Sequence, residues 1–334
     1  MQRTSWFSPR PSSVPLFCRC WPSCRPAWLA WRPVRAQRKA SALSRHHWAR
    51  QLAKADHRVK LIPSAYVKAY VRRQKNDAAD AAAICETVTR PSMRFVPVKA
   101  AEQQGLLMLH CTRDLLVSQK TGLINALRGH LAEFGIVVAQ GVQNVAALVK
   151  IVEDGADARL PDIAHSALGS LVRQMQGLGK GIEDLDLKIR QWHESSVVSR
   201  ALATIPGIGP VTATALVASI TNPAMFKFGR ELAAFLGLVP KQSSSGGKEK
   251  LGRISKMGDR YLRKLLVVGA SAVLKYAKKD GSASKSWASA LLETKPFKKV
   301  AVALANKTAR IAWAILTRGG TYGKPALAAT AQAA

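Results

Sequence analysis

Leucines recur near heptad spacing between Ala101 and Phe134, at Leu106, Leu109, Leu116, Leu123, Leu127 and Leu131. That pattern predicts a long amphipathic helix suited to pairing with another helix. A second stripe, Leu168, Leu171, Met175, Leu178, Ile182, Leu185 and Ile189, predicts another long helix over Ile163–His193. Gly177, Gly179 and Gly181 weaken its middle by roughly 1 kcal/mol each relative to Ala. Two long helices joined by a loop predict an antiparallel coiled coil, and the core of a helical bundle fits the same pattern. Upstream, Trp48–Ala55 is helical in pattern, and Val59–Ile62 is a short apolar run closed by Pro63 that predicts a buried strand. Ser64 is placed to cap a helix carrying Tyr66, Val67, Tyr70 and Val71. An Ala-rich helix follows from Lys75 to about Val88, and Pro91–Val98 is an extended connector. From Ser199 onward the chain is helical and basic, and after Gly319 it becomes low in complexity.

The first 55 residues hold no acid, and Met1–Ser44 shows neither a helical nor an alternating apolar pattern. No Asp or Glu precedes Asp56, whereas eleven Lys and Arg, five of the eight Trp and six Pro fall in that stretch. A transit peptide, a basic nucleic-acid arm, and a stretch translated from the wrong frame of a GC-rich gene are the three readings. Frequent Pro and the lack of an amphipathic helix weigh against the first.

Charge narrows the function. With 51 Lys+Arg against 20 Asp+Glu the chain carries a formal charge of +31 over 334 residues. Such a protein adheres to polyanions, and nucleic acid is the expected partner because neutralised phosphates release counterions. A membrane surface is disfavoured, since the basic residues are spread along the chain rather than set beside an anchor. The longest uncharged run, Ala201–Phe226, is broken by Pro206, Gly207, Gly209, Pro210 and Pro223 and does not suit a membrane span. Cys18, Cys20, Cys24, Cys85 and Cys111 form neither a disulfide framework nor a zinc pattern, which suits a reducing cytoplasm.

Three motifs carry candidate chemistry. Asp77 and Asp80 stand three apart on a predicted helix, so both carboxylates share a face. Two hard oxygen ligands suit Mg²⁺, although two-metal phosphoryl transfer needs about four carboxylates; a solvated helix face is the plain alternative. Thr204–Val211, with Ile205-Pro206-Gly207-Ile208-Gly209 at its heart, resembles a helix-hairpin-helix turn in which Gly207 and Gly209 let the backbone approach a phosphate. An ordinary interhelical turn would look the same. Third, Pro240–Gly247 opens a Ser/Gly loop, and Lys241, Lys248, Lys250, Arg253, Lys256, Arg260, Arg263 and Lys264 follow within 24 positions. A serine beside so many cations suits attack on a phosphodiester, and a flexible linker before a DNA-binding helix fits as well. No His follows His193, which disfavours a Ser-His-Asp hydrolase.

In order, Lys75–Ala81, Ile205–Gly209, Phe235-Leu236-Gly237-Leu238-Val239-Pro240, Ser244–Lys248 and Leu251–Arg263 closely resemble the DEDD-type insertion-sequence transposases. The resemblance covers about His47 to Tyr322. It implies a DNA recombinase with a RuvC-like, RNase H-type N-terminal domain holding four acidic metal ligands and a C-terminal domain supplying a serine. Asp77 and Asp80 match the last two acids, and Ser245 matches the serine, with Ser243 and Ser244 as alternatives if the loop shifts. The resemblance further implies Mg²⁺, double-stranded DNA at the element ends and target, an element-encoded guide RNA, and a homo-oligomer assembled through the coiled coil. Lys75, Gly207, Gly209, Lys248, Lys250, Arg253, Lys256, Arg260 and Arg263 are the expected nucleic-acid contacts.

The departure is at the N-terminus. The family's first acidic strand (Gly-Ile-Asp) and a later Glu have no counterpart before Asp56. A frameshift upstream of His46 accounts for the missing acids and the odd composition together. The expected fold is mainly α: a basic segment 1–44, a truncated RuvC-like α/β remnant 45–98, a helical coiled-coil region 99–195, a helical C-terminal transposase domain 199–320 with its helix-hairpin-helix-like turn, and a tail 321–334. The expected function is insertion-sequence transposition by metal- and serine-assisted phosphoryl transfer, without strand cleavage by this chain. A non-catalytic DNA- or RNA-binding remnant and a Holliday-junction nuclease are the alternatives. The expected location is the cytoplasm, at the nucleoid.

Overall fold

The structure, a computed structural model, describes residues 41–71, 77–154, 159–277 and 283–323. The expected basic segment up to residue 40, Lys75 and the end of the tail lie outside the described residues. The chain divides into two compact units between Gln104 and Gly105.

In the first unit, α1 (Ser41–Lys54) is followed by α2 (Ser64–Val67), one 3₁₀ turn (Lys68–Tyr70) and α3 (Asp77–Thr89). Val59–Ile62 does not form the predicted strand: it pairs at one position, Leu61 against Val96, where the Val96 N–H donates to the Leu61 carbonyl at 2.7 Å. One bridge suffices because the connector is held elsewhere too. The Lys99 N–H donates to His46 Nδ1 at 3.2 Å, and Arg50 Nη1 donates to the Lys99 carbonyl at 2.8 Å. Burial, then the charges of Lys99, Arg50 and Arg45, hold the His46 imidazole down at about 4. Ser64 is the first helical residue rather than the cap; Pro63 takes the cap position, with no side-chain hydrogen bond. Pro is suited to that turn because it lacks the N–H that would go unpaired there. In α3, Ala83, Thr87 and Val88 face inward, and Thr87 Oγ1 donates to the Ala83 carbonyl at 2.6 Å.

The second unit begins with α4 (Ala101–Glu133, all but its first turn) and continues with α5 (Val145–Glu153) and α6 (Asp162–Ser195). At 33 and 34 residues, α4 and α6 are each about 50 Å long. They run side by side in opposite directions: Arg113 pairs with Asp186, and further along Gly181 faces Leu116 and Gly179 faces Lys120. A methyl group on Gly179 would sit 3.1 Å from Lys120 Nζ, so this buried glycine offsets its low helix propensity by letting the lysine stem pass. At the far end α5, which has no counterpart in the predicted elements, closes a core of Leu127, Leu131, Leu148, Val152, Leu168, Val172 and Met175. Nine residues hold too few periodic positions to stand out in the sequence.

The main core belongs to α7 (Val197–Ala203), α8 (Pro210–Ser219), α9 (Gly229–Phe235), α10 (Arg260–Ala277), α11 (Ala283–Thr294) and α12 (Phe297–Arg318). α12 lies against α9, α10, α7 and α11. Among the described residues it is the one helix long and apolar enough to cross a membrane. Eight of its residues, Val300 through Ile315, are buried among those neighbours, so its apolar face is that of a core helix. Between α9 and α10 the chain forms an antiparallel hairpin, β1 (Pro240–Gln242) and β2 (Leu251–Ile254).

Candidate nucleic-acid interface and carboxylate pair

The Ser/Gly stretch read as a loop is the outer part of that hairpin. Beyond β1 the Ser243 N–H donates to the Lys250 carbonyl at 2.9 Å, and Ser245 pairs with Lys248. Gly246 and Gly247 close the end at φ +56° and +75°. Two successive positive φ values make the two-residue turn whose twist matches antiparallel strands, and glycine adopts both without strain. Residues 241–250 are all exposed. Ser245 therefore stands at the tip with Lys248, while Lys250 and Arg253 follow down the second strand.

The hairpin's base is fixed by the long sequence motif on either side of it. A methyl on Gly258 would lie 1.8 Å from the Phe235 carbonyl oxygen, and one on Gly237 would lie 2.3 Å from that of Met257. The two loops touch backbone to backbone there, and only glycine fits. Asp259 Oδ1 accepts from the N–H groups of Tyr261 and Leu262 at 2.8 and 3.1 Å, which caps α10. Arg263, expected at a phosphate, is half-buried, and its Nη1 donates to the carbonyls of Leu236 and Met257, both at 2.8 Å. One face of its guanidinium thus ties the loop together, which sequence reasoning does not distinguish from phosphate contact. Lys256 and Arg260 remain exposed beside it.

In the helix-hairpin-helix-like turn, Ile205 and Ile208 are buried and anchor the loop. Gly209 is exposed, takes the cap position of α8, and is followed by Pro210 at the first helical position. Gly207 adopts φ +87° and packs against Gly269 of α10. Its small size serves the join with α10, whereas Gly209 faces solvent.

Asp77 and Asp80 occupy the first turn of α3, Asp77 exposed and Asp80 half-buried. Carboxylates at that position also favour the helix dipole. Among the described residues no group of three His, Cys, Asp or Glu converges to hold a metal.

One polar cluster has no signature in the sequence. His110 is 1% exposed within α4. Its Nε2 lies 3.0 Å from Thr214 Oγ1 on α8 and its Nδ1 lies 3.2 Å from the Tyr261 hydroxyl on α10. Thr214 also donates to the Pro210 carbonyl at 2.8 Å, so it accepts from Nε2–H, and the tyrosine hydroxyl donates to Nδ1. Burial, then the charge of Arg113, pushes the imidazole down to about 4 against the opposing pull of Asp186. Burial pushes the Tyr261 phenol up to about 12. The neutral pair joins three helices. A lone histidine in a leucine-rich helix carries no pattern that could have revealed it.

Residues 199–285, which hold the turn, the hairpin and α10, match the model of the Transposase IS116/IS110/IS902 family, and residues 41–136 match a second model described as a transposase. A putative transposase of Sinorhizobium fredii is 46% identical over 278 residues, covering 83% of this chain and 71% of the relative. The chain belongs to this transposase family. A probable family 20 transposase of Pseudomonas aeruginosa is 44% identical over 84% of this chain and 83% of its own length. The transposase for the insertion sequence element IS1111A of Coxiella burnetii is 38% identical over 83% and 76%. Transposases are DNA recombinases, and the segment 41–136 carries Asp77 and Asp80 while the segment 199–285 carries Ser245 and the basic hairpin.

Proposed function

We propose that this transposase grips double-stranded DNA through the β1–β2 hairpin and the start of α10. The observation that carries the reading is the exposed row Lys248, Lys250, Arg253, Lys256 and Arg260 on one short stretch of rigidly rooted backbone. Phosphate contacts of this kind position a duplex without reading its bases. Gly209, at the solvent side of the turn before α8, offers backbone N–H groups for a further phosphate. Ser245 is the residue we propose to face the phosphodiester, as the family resemblance implies. At the tip of a two-glycine turn it can enter a groove.

The carboxylates limit the chemistry. Asp77 and Asp80 suit one hard cation as two oxygen ligands, but not the roughly four carboxylates that a two-metal centre uses. No acid precedes Asp56 in the 334 residues. These two carboxylates alone do not fit a two-metal centre, and we propose that this chain binds element ends without cutting them. The arm of α4 and α6, with Met108 and Leu115 both 54% exposed and one heptad apart, suits self-association as a coiled coil. Mixed assembly with active copies follows from the same reading; guide-RNA binding is what the family resemblance implies, and the net basic charge suits residence at the nucleoid.

The test compares the full chain with its Asp77→Ala variant. Duplex binding by fluorescence anisotropy is expected to be equal in both, and neither is expected to nick DNA in Mg²⁺. Mg²⁺-dependent nicking that disappears in Asp77→Ala would overturn the reading.

A further inference from the structure

A second aromatic and basic site lies in the C-terminal unit, away from the hairpin in sequence and absent from the motifs above. A cavity of about 410 Å³ opens between the start of α9 and the last turns of α12, lined by Phe228, Gly229, Arg230, Arg310, Trp313, Ala314 and Arg318. Arg310, Ala314 and Arg318 recur every four residues, so one face of α12 forms its wall. Gly229 brings the other wall close, for a methyl there would lie 3.0 Å from Arg310 Cα.

The composition of this cavity is specific. Three arginines line it and no carboxylate does. The nearest acid in sequence, Glu231, turns back to accept from the Lys227 N–H at 2.9 Å. None of the three guanidiniums has an ion-pair partner among the described residues. Trp313 is held in place by its indole N–H, which donates to the Pro223 carbonyl at 3.3 Å. Phe228 is 50% exposed at the rim. An isolated exposed phenylalanine is ordinary, but one beside a fixed indole and three arginines in a lining without a carboxylate is not.

We infer that this cavity takes an unpaired nucleotide of a single-stranded nucleic acid, its base stacked on Phe228 and Trp313 and its flanking phosphates on Arg230, Arg310 and Arg318. Aromatic faces bind every base through its π-surface, and arginines track the backbone. A duplex keeps its bases stacked inside and cannot use the aromatic pair, so the cavity selects single strands. The volume falls within the range of small-ligand sites. Single-stranded RNA and displaced single-stranded DNA share this chemistry. The inference stands apart from the hairpin reading, which concerns duplex DNA.

The test uses the full chain, labelled octamers of single-stranded RNA and of single-stranded DNA, and a duplex of the same sequence, followed by anisotropy at about 0.2 M salt to suppress the diffuse charge contribution. Phe228→Ala and Arg310→Ala are each expected to weaken single-strand binding about tenfold and duplex binding by less than about twofold, with Phe228→Trp retaining affinity. Stronger binding of one octamer names the source of the strand, and equal binding names both. The double variant Lys250→Ala/Arg253→Ala should do the reverse, losing duplex and keeping single strands, so failure of either reading is seen separately. Crosslinking with a 5-iodouracil octamer should label a peptide containing Phe228 or Trp313. Unchanged single-strand affinity in both cavity variants, equal losses for duplex and single strand, or crosslinks only elsewhere would overturn the inference.

Discussion

Gly207 and Gly269 stand against each other with no side chain between them. A methyl on Gly269 would lie 2.0 Å from the Gly207 carbonyl oxygen, and one on Gly207 would lie 2.9 Å from that of Gly269. The helix-hairpin-helix-like turn is thereby seated on α10, the helix that also roots the basic hairpin. Gly269→Ala is expected to destabilise the protein by about 1–3 kcal/mol through overpacking. Thermal or urea unfolding checks this. Gly209→Ala, at an exposed position with nothing near its Cβ, should cost at most about 1 kcal/mol through the poorer cap of α8, less than Gly269→Ala, and its larger loss should appear in DNA affinity.

His110 sets a pH dependence of known sign. Its folded-state value of about 4 lies below the ordinary 6.5, so the folded protein resists protonation that the unfolded chain accepts. Stability is full above about pH 6.5 and falls as pH drops toward 4, by up to about 3 kcal/mol for this one group. His46 shifts in the same direction in the first unit. His110→Gln, which keeps a donor and an acceptor, should therefore flatten the fall without abolishing it. Urea midpoints at about pH 7.5 and pH 5 measure the difference. Equal slopes in the two proteins would contradict the buried neutral imidazole.

The hairpin lysines and arginine act through charge. Lys250→Ala and Arg253→Ala should each weaken duplex binding to a similar extent on every sequence, and reduce the slope of log affinity against log salt by about 1. Ser245→Ala should leave both affinity and slope unchanged, because the serine carries no charge to the phosphates.

The missing acids make a prediction about the gene. Translation of the other two frames upstream of the His46 codon is expected to yield Gly-Ile-Asp and, later, a Glu. If neither frame does so, the basic segment is a true divergence and the frameshift explanation falls.

Much of the helical frame was legible because it is written in period. The stripes from Leu106 to Leu131 and from Leu168 to Ile189 placed α4 and α6 within two residues at each end. What escaped was nonlocal. Val59–Ile62 has the composition of a strand, but Leu61 finds a single partner in Val96. The Ser/Gly stretch looked flexible, although Gly246 and Gly247 are the residues that a tight hairpin turn demands. Arg263 belongs by composition to the basic row, yet its burial beside Leu236 and Met257 turns it inward. His110, Thr214 and Tyr261 are far apart in the chain, and only folding brings them together.

We propose that this family transposase holds DNA and, with no acid before Asp56, does not cut it. The most direct test is excision in cells: the full chain is expressed beside a plasmid carrying its own element with both ends, and excised circles are counted by amplification across the new junction. No circles are expected from this chain or from Asp77→Ala, while the purified protein still binds the element ends. Circles that form with this chain and vanish with Asp77→Ala would contradict it.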